Sequence, residues 1–199
     1  DKFSRFRRGM PPKTQGDYAF ILHMIETLKP GTGRMAVVVP HGVLFRGSCE
    51  GTIRQKLVEE NLLDAVIGLP EKLFFGTGIP AAILVFRKRK ADDAVLFIDA
   101  SREYDPGTNQ NVLTETQLGK IVDTFRAREA VTKYAYRATR AEIVENDFNL
   151  NIPRYVDTFQ AEEEIDLMAV RAERTRLKAE MSDLEARMDT YLRELNYGA

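Results

Sequence analysis

Between Met35 and Leu69 the sequence passes from a short apolar run, through an amphipathic stretch, into a second apolar run, and few folds accommodate that succession. Met35 to Val39 is continuous and rich in Val, as expected of a strand buried on both faces, and Pro40 and Gly42 stop it. It is expected to be a central strand. Glu50 to Glu60 puts Ile53, Leu57 and Val58 on one helical face, Asn61 ends it, and Leu62 to Leu69 reads as the next strand. Strand, helix and strand then form a right-handed crossover with two parallel neighbours, so the fold class is α/β.

The flanks extend that pattern. Asp17 is a candidate N-cap for a helix carrying Ala19, Phe20, Leu22, Met24, Ile25 and Leu28, closed by Pro30, Gly31 and Gly33. After the second strand, Glu71 to Phe75 is too short for a crossover helix. The following strand, Ala81 to Phe86, should therefore return antiparallel. Ala94 to Ile98 is a further strand, and Glu115 to Ala127 a further helix begun by Thr114.

The C-terminal forty residues differ in kind. Leu167, Val170, Arg174, Leu177, Met181, Leu184, Met188, Tyr191 and Leu195 step by three and four, with only Arg174 breaking the apolar seam. A helix of roughly 30 residues is about 45 Å long, too long to bury its seam wholly on a core of this size. A partner helix is expected, and folding back on its own domain is the alternative. Residues 1–157 are expected to form the α/β domain and 158–199 a helical extension of coiled-coil type.

Charge is nearly balanced over 199 residues, 29 Lys plus Arg against 30 Asp plus Glu, yet it is segregated. Lys2, Arg5, Arg7, Arg8 and Lys13 form one basic block, Arg87, Lys88, Arg89 and Lys90 a second, and Arg126 to Arg140 a third. These patches allow a phosphate-facing surface, with solvated loops and helix faces as the alternative. The single cysteine, Cys49, excludes an intrachain disulfide, and with only His23 and His41 besides no zinc-ligand spacing exists, so no metal is expected. The longest uncharged apolar run is far short of the roughly 20 residues of a spanning helix, and the charged start does not read as a secretory leader. A soluble, cytoplasmic protein is expected.

Open α/β sheets bind ligands at the carboxyl ends of their strands, which points to the loops Pro40 to Ser48 and Pro70 to Pro80. The second holds Phe74 and Phe75, then Gly76, Thr77, Gly78 and Pro80. A sharp glycine turn can leave a ring face uncovered for a planar ligand, and stacking a base on an aromatic side chain is worth roughly 1–3 kcal/mol. Core packing is the competing reading of two adjacent Phe residues. Gly31 and Gly33 precede a strand, whereas a dinucleotide-binding loop follows one, so they read as a turn. His41 reads as a loop hydrogen-bonder, His23 as structural, and Ser48 as a helix cap rather than a nucleophile.

Four segments, DYAFILHMIETLKPGTGRMAVVVPHGVLFRG, IRQKLVEENLLDAVIGLPEKLFFGTGIPAAILVFRK, VLFIDAS and NDFNLNIPRYVD, together resemble the modification (methyltransferase) subunit of type I restriction-modification systems, from Asp1 to about Asp157. The resemblance implies the second half of a Rossmann-like sheet, with Ala81 to Phe86 as an antiparallel strand inserted between the strands at Met35 and Leu62. It implies methyl transfer from S-adenosylmethionine to the N6 amine of adenine in double-stranded DNA. It further implies assembly with a specificity subunit and, indirectly, a restriction subunit.

Two motifs of that family are absent, the Gly-rich cofactor loop and the Asn-Pro-Pro-aromatic motif that grips the adenine amine; Met10, Pro11, Pro12 and Lys13 do not replace the latter. No catalytic residue is therefore expected in this segment, and the segment alone should not methylate DNA. The resemblance makes Phe74 first, then Phe75, the stacking wall for a flipped adenine, with Gly76, Thr77, Gly78 and Pro80 forming the target loop. It makes Lys2, Arg5, Arg7, Arg8, Arg87, Lys88, Arg89 and Lys90 candidate phosphate contacts. Leu167, Val170, Leu177, Met181, Leu184, Met188 and Leu195 become the docking face for the specificity subunit. A non-catalytic DNA-binding and assembly module is the alternative, and a small enzyme for another nucleotide a more distant one.

Overall fold

The computed structural model describes residues 3–158, 166–195 and 197. The chain divides into two compact units, Asp1–Phe159 and Gln160–Ala199. In the first, helix α1 (Asp17–Thr27) leads into strand β1 (Arg34–Pro40), a short 3-10 turn (His41–Leu44) and helix α2 (Ser48–Glu59). Strands β2 (Leu63–Gly68), β3 (Ala81–Arg87) and β4 (Val95–Asp99) follow, then α3 (Glu115–Ala127), β5 (Ala135–Ala138) and the short α4 (Arg140–Glu145). The second unit holds α5 (Leu167–Glu194).

The five strands form one mixed sheet in the order β1-β3-β2-β4-β5. The short connection after β2 does return antiparallel, and β3 lies between β1 and β2, antiparallel to both. The expected pair of parallel neighbours is thereby corrected: β1 and β2 run the same way but do not touch, and the parallel pair in the sheet is β2 with β4.

A second correction concerns β1, which stands at the sheet border rather than in its centre. Successive side chains on a strand point to opposite faces. Met35, Val37 and Val39 join the cluster that α1 and α2 build with Ile21, Leu22, Ile25, Ile53 and Leu57, whereas Ala36 and Val38 on the other face are exposed. On that other face a second cluster forms from Ala65, Ile67, Leu96 and Ile98 under Ile121 of α3. Helix α3 thus covers β2 and β4, and among the described residues nothing buries the outer face of β1. A Val-rich run does not report how many neighbours the strand has.

Two helix starts also differ from expectation. Helix α1 is preceded by Gly16 as its cap, and Asp17 is its first residue, paired with Arg46. Helix α2 has Gly47 at its cap and no side-chain cap bond, and Ser48 adopts a left-handed φ of 56°. The start of α3 is as read from sequence, with Thr114 and Gln117 forming a reciprocal capping box, and an equivalent box between Thr139 and Glu142 opens α4.

The residues after α4 return across the first cluster and close it. Leu150 N–H donates to the Leu44 carbonyl at 2.9 Å, Tyr155 stacks on Phe97 with ring centroids 3.9 Å apart, and Ile152 is buried. Gly68 permits that approach: a Cβ there would lie 2.7 Å from Ile152 Cδ1. Helix α5, taken by itself, buries no residue, and its Asp166 carboxylate caps it by accepting from the Met168 and Ala169 N–H groups.

Candidate functional site

The strand registers define two ends of the sheet. At one end β1 and β2 finish and β3 starts, with Pro40 opposite Ala81 and Gly68 opposite Ala82; at the other, Arg34 and Leu63 face Arg87 and Phe86. The loop Pro70 to Pro80 lies at the first end, because it joins β2 to β3.

In that loop Phe75 is 91% exposed and Phe74 41% exposed. Neither ring is core. Gly76, at φ +77°, supplies the left-handed turn that carries the rings outward, and Thr77 Oγ1 accepts from Ile79 N–H at 3.1 Å. Phe74, Thr77, Ile79 and Pro80 face Val38 and Pro40 of β1 across an apolar hollow of about 250 Å³. Pockets that enclose a whole small-molecule ligand run to roughly 300–1,000 Å³. This one is a wall with an open side, placed where the bare border of β1 ends. His41 Nε2 lies 3.1 Å from the Ala81 carbonyl and so anchors the strand start, as its reading as a loop hydrogen-bonder implied.

Three consecutive carbonyls at the start of the loop are held from outside it. Asn111 Nδ2 donates to the Glu71 carbonyl at 2.8 Å, Asn111 N–H donates to the Lys72 carbonyl at 2.9 Å, and Gln110 Nε2 donates to the Leu73 carbonyl. Asn111 is buried. Neither residue stood out in the sequence; the available signal is a Gly-Thr-Asn-Gln-Asn stretch between a strand and a helix, which is a turn signature with no indication of what its side chains grip.

The basic residues gather at the opposite end, and most have acidic partners. β3 separates them from the Phe74 loop by seven residues, about 20 Å at the usual strand rise. Arg8 is 1% exposed and closes on Glu26 and Glu60, so it is withdrawn as a phosphate contact. Arg7 lies 3.4 Å from Glu26 and 3.5 Å from Glu60. A β-bulge at Asp64 turns that buried carboxylate toward Arg87 at 3.3 Å and Arg128 at 3.2 Å, which removes Arg87 from the same list. Lys90 is withdrawn as well. Its ammonium donates to the Leu63 and Ala94 carbonyls, each at 2.7 Å, and burial pushes its pKa down to about 8. Arg137 and Arg140 of the third block pair with Asp92 and Asp93. Arg5 sits over the Phe3 and Phe6 rings and near His23, Lys88 is half-buried and Arg89 is exposed. Lys2 lies outside the described residues.

In the second unit Leu167, Val170, Leu177, Met181, Leu184, Met188 and Leu195 are each more than half exposed. Among the described residues no group of His, Cys, Asp and Glu could hold a metal ion, and no helix is long and apolar enough to cross a membrane.

Residues 1–164 match the N-6 DNA Methylase family. The chain belongs to that family. It is 37% identical over 147 residues to the methylase subunit of the type I restriction enzyme MpnII of Mycoplasma pneumoniae, a match covering 73% of this chain and 27% of the relative. It is 36% identical over 155 residues to the MjaVII methylase subunit of Methanocaldococcus jannaschii, covering 75% of this chain and 26% of that subunit. Among solved structures, the type I restriction-modification methyltransferase subunit of Streptococcus thermophilus superposes with a TM-score of 0.76 at 51% identity, over 78% of this chain and 33% of that one. The chain therefore spans about a quarter of the length of these curated relatives, and the five-stranded mixed sheet with a C-terminal helix is similar to that of methyltransferase subunits.

Proposed function

We propose that this chain is the back portion of a type I modification subunit that methylates the N6 amine of adenine in DNA. In this reading residues 1–157 are the second half of a Rossmann-like catalytic domain, and β1 is the strand against which the front half continues the sheet. The observation that carries the proposal is the Phe74 ring: half-exposed, raised on a glycine turn, beside an apolar hollow at the carboxyl end of the sheet. Enzymes that modify a base inside a duplex extrude it and hold it by stacking. Phe74 supplies one face of that slot, with Val38 and Ile79 beside it, and Phe75 lies outside it.

Bound S-adenosylmethionine would supply an electrophilic methyl group. The described residues do not form a pocket for it, because Gly31 and Gly33 precede β1 and Gly33 N–H is committed to the Lys29 carbonyl at 2.9 Å, so no step through the cofactor is assigned to this segment. What it contributes is orientation of the base. Lys88 and Arg89 are the members of the basic block we assign to DNA phosphates, outside the base slot.

Residues 158–199 are read as the docking extension, with the seam of α5 forming a coiled-coil-type contact with the specificity subunit; a restriction subunit joins indirectly, in the cytoplasm. Two tests follow. In the full-length subunit assembled with its specificity subunit, Phe74→Ala is expected to slow single-turnover methylation about 10- to 100-fold, in line with the worth of one stacked base, with DNA affinity little changed. An unchanged rate refutes the stacking role. Leu177→Asp with Leu184→Asp should abolish co-purification with the specificity subunit while the α/β unit stays folded, and intact co-purification removes the docking role.

A further inference from the structure

The loop carrying Phe74 is not rigid by its own chemistry. It is rich in glycine, and a stacking wall helps only if it is held close to its productive position. The grip on Glu71, Lys72 and Leu73 by Gln110 and Asn111 is therefore the notable contact in this part of the fold, since it fixes the backbone immediately before Phe74.

The gripping segment is itself braced. Asp105 and Val112 exchange backbone bonds of 2.9 and 3.0 Å, which closes residues 105–112 into a narrow excursion. Gly107 is required at its tip, where a Cβ would lie 2.1 Å from the Gln110 carbonyl oxygen. The base of the excursion is tied to α3: Gln117 Nε2 donates to Asp105 Oδ1 at 3.1 Å, and Lys120 pairs with Glu103. A chain of direct contacts thus runs from helix α3 through the excursion to the loop.

We infer that Gln110 and Asn111 are positioning residues for the base-contacting loop, acting on the flipped nucleobase only through Phe74. The inference rests on the stacking role proposed above. Asn111 carries the larger share, because its side chain and backbone each hold one carbonyl and its amide is buried, where an unmade hydrogen bond is costly.

A double-mutant cycle in the full-length subunit, assembled with its specificity subunit on a duplex bearing its target site, tests this. Asn111→Ala should slow single-turnover methylation about 10-fold and Gln110→Ala about 3-fold, while the Kd for DNA stays within about twofold. In a Phe74→Ala background both should change the rate by less than about twofold, because the ring they position is gone. A residue needed merely for folding would slow both backgrounds alike. Multiplying effects in the double variants overturn the inference, as does an unchanged rate for both single variants when Phe74→Ala itself is slow. If Phe74→Ala alone costs nothing, the stacking role fails and this inference falls with it. Should Asn111→Ala fail to fold by circular dichroism, Gln110→Ala, at a half-buried position, carries the same comparison.

Discussion

At the end of the sheet where β1 and β2 finish, Phe74, Phe75 and Ile79 stand in solvent, whereas at the end where they start, Arg8, Arg87, Arg128 and Lys90 are closed into ion pairs and carbonyl contacts. The apolar residues that look like core are displayed, and of the charges that look like a display Arg8 is buried and Arg87, Arg128 and Lys90 are half-buried. Phe75 is left in solvent and Phe74 meets Val38 and Ile79 only across an open hollow, while each of these cations has a carboxylate or carbonyl brought to it from elsewhere in the chain. On the proposed reading the first end takes the base, and the second fastens the sheet to its helices while presenting Lys88 and the exposed Arg89 to phosphates.

Three measurements would break or sharpen this contrast. The largest effect is expected from Asp64→Ala, which removes the buried carboxylate shared by Arg87 and Arg128; because both guanidinium groups are partly exposed, the cost falls below that of a fully buried pair, at about 1–3 kcal/mol, read as a lower midpoint in denaturant unfolding. An unchanged midpoint would mean that the fastening end fastens little. Next, Arg89→Ala should weaken DNA binding by the assembled complex a few-fold and reduce the slope of log affinity against log salt by about 1, without altering sequence choice. No change in slope would remove Arg89 from the phosphate contacts.

The smallest effect is a pH dependence. Burial raises the pKa of Glu26 and Asp92, but the Arg8 bonds outweigh it for Glu26, and the Ala94 N–H with Arg137 for Asp92; bonds from Tyr136 and Thr139 lower Glu142. All three therefore sit below their ordinary values near 4 in the folded chain. The unfolded chain then takes up these protons first as pH falls. Stability from these groups is complete above the ordinary carboxylate range and is lost on acidification through it, so thermal midpoints should be flat from pH 7 to about 5 and drop below. A flat profile to lower pH would separate these carboxylates from stability.

Periodicity made β2, β3, β4 and α3 legible, and the short loop after β2 sufficed to give β3 its direction. What periodicity does not encode is the neighbour. The five apolar residues of β1 read the same whether the strand is central or at a border, and only the register with β3 alone distinguishes them. Likewise Arg87 to Lys90 is a basic run in sequence, but its charge is cancelled by Asp64 and by carbonyls that no local window contains. β5 and α4 were not anticipated: four residues, Ala135 to Ala138, lie inside a stretch that reads as a charge block, although Thr139 and Glu142 three residues apart carry a visible capping signature. Phe74 was legible as a candidate through its glycine turn. Its supports at Gln110 and Asn111 were not, because their partners are main-chain carbonyls 37 and 40 residues away, and a carbonyl has no sequence signature.

The segment from Leu150 to Val156, laid across Leu44, Gly68 and Phe97, sets an order of events during synthesis. Translation delivers the sheet strands before this closing piece, so the nascent polypeptide must keep Phe97 and its neighbours from adhering elsewhere until the piece arrives. A stop codon or protease nick just before Leu150 would consequently yield an intermediate prone to clumping rather than a smaller working domain.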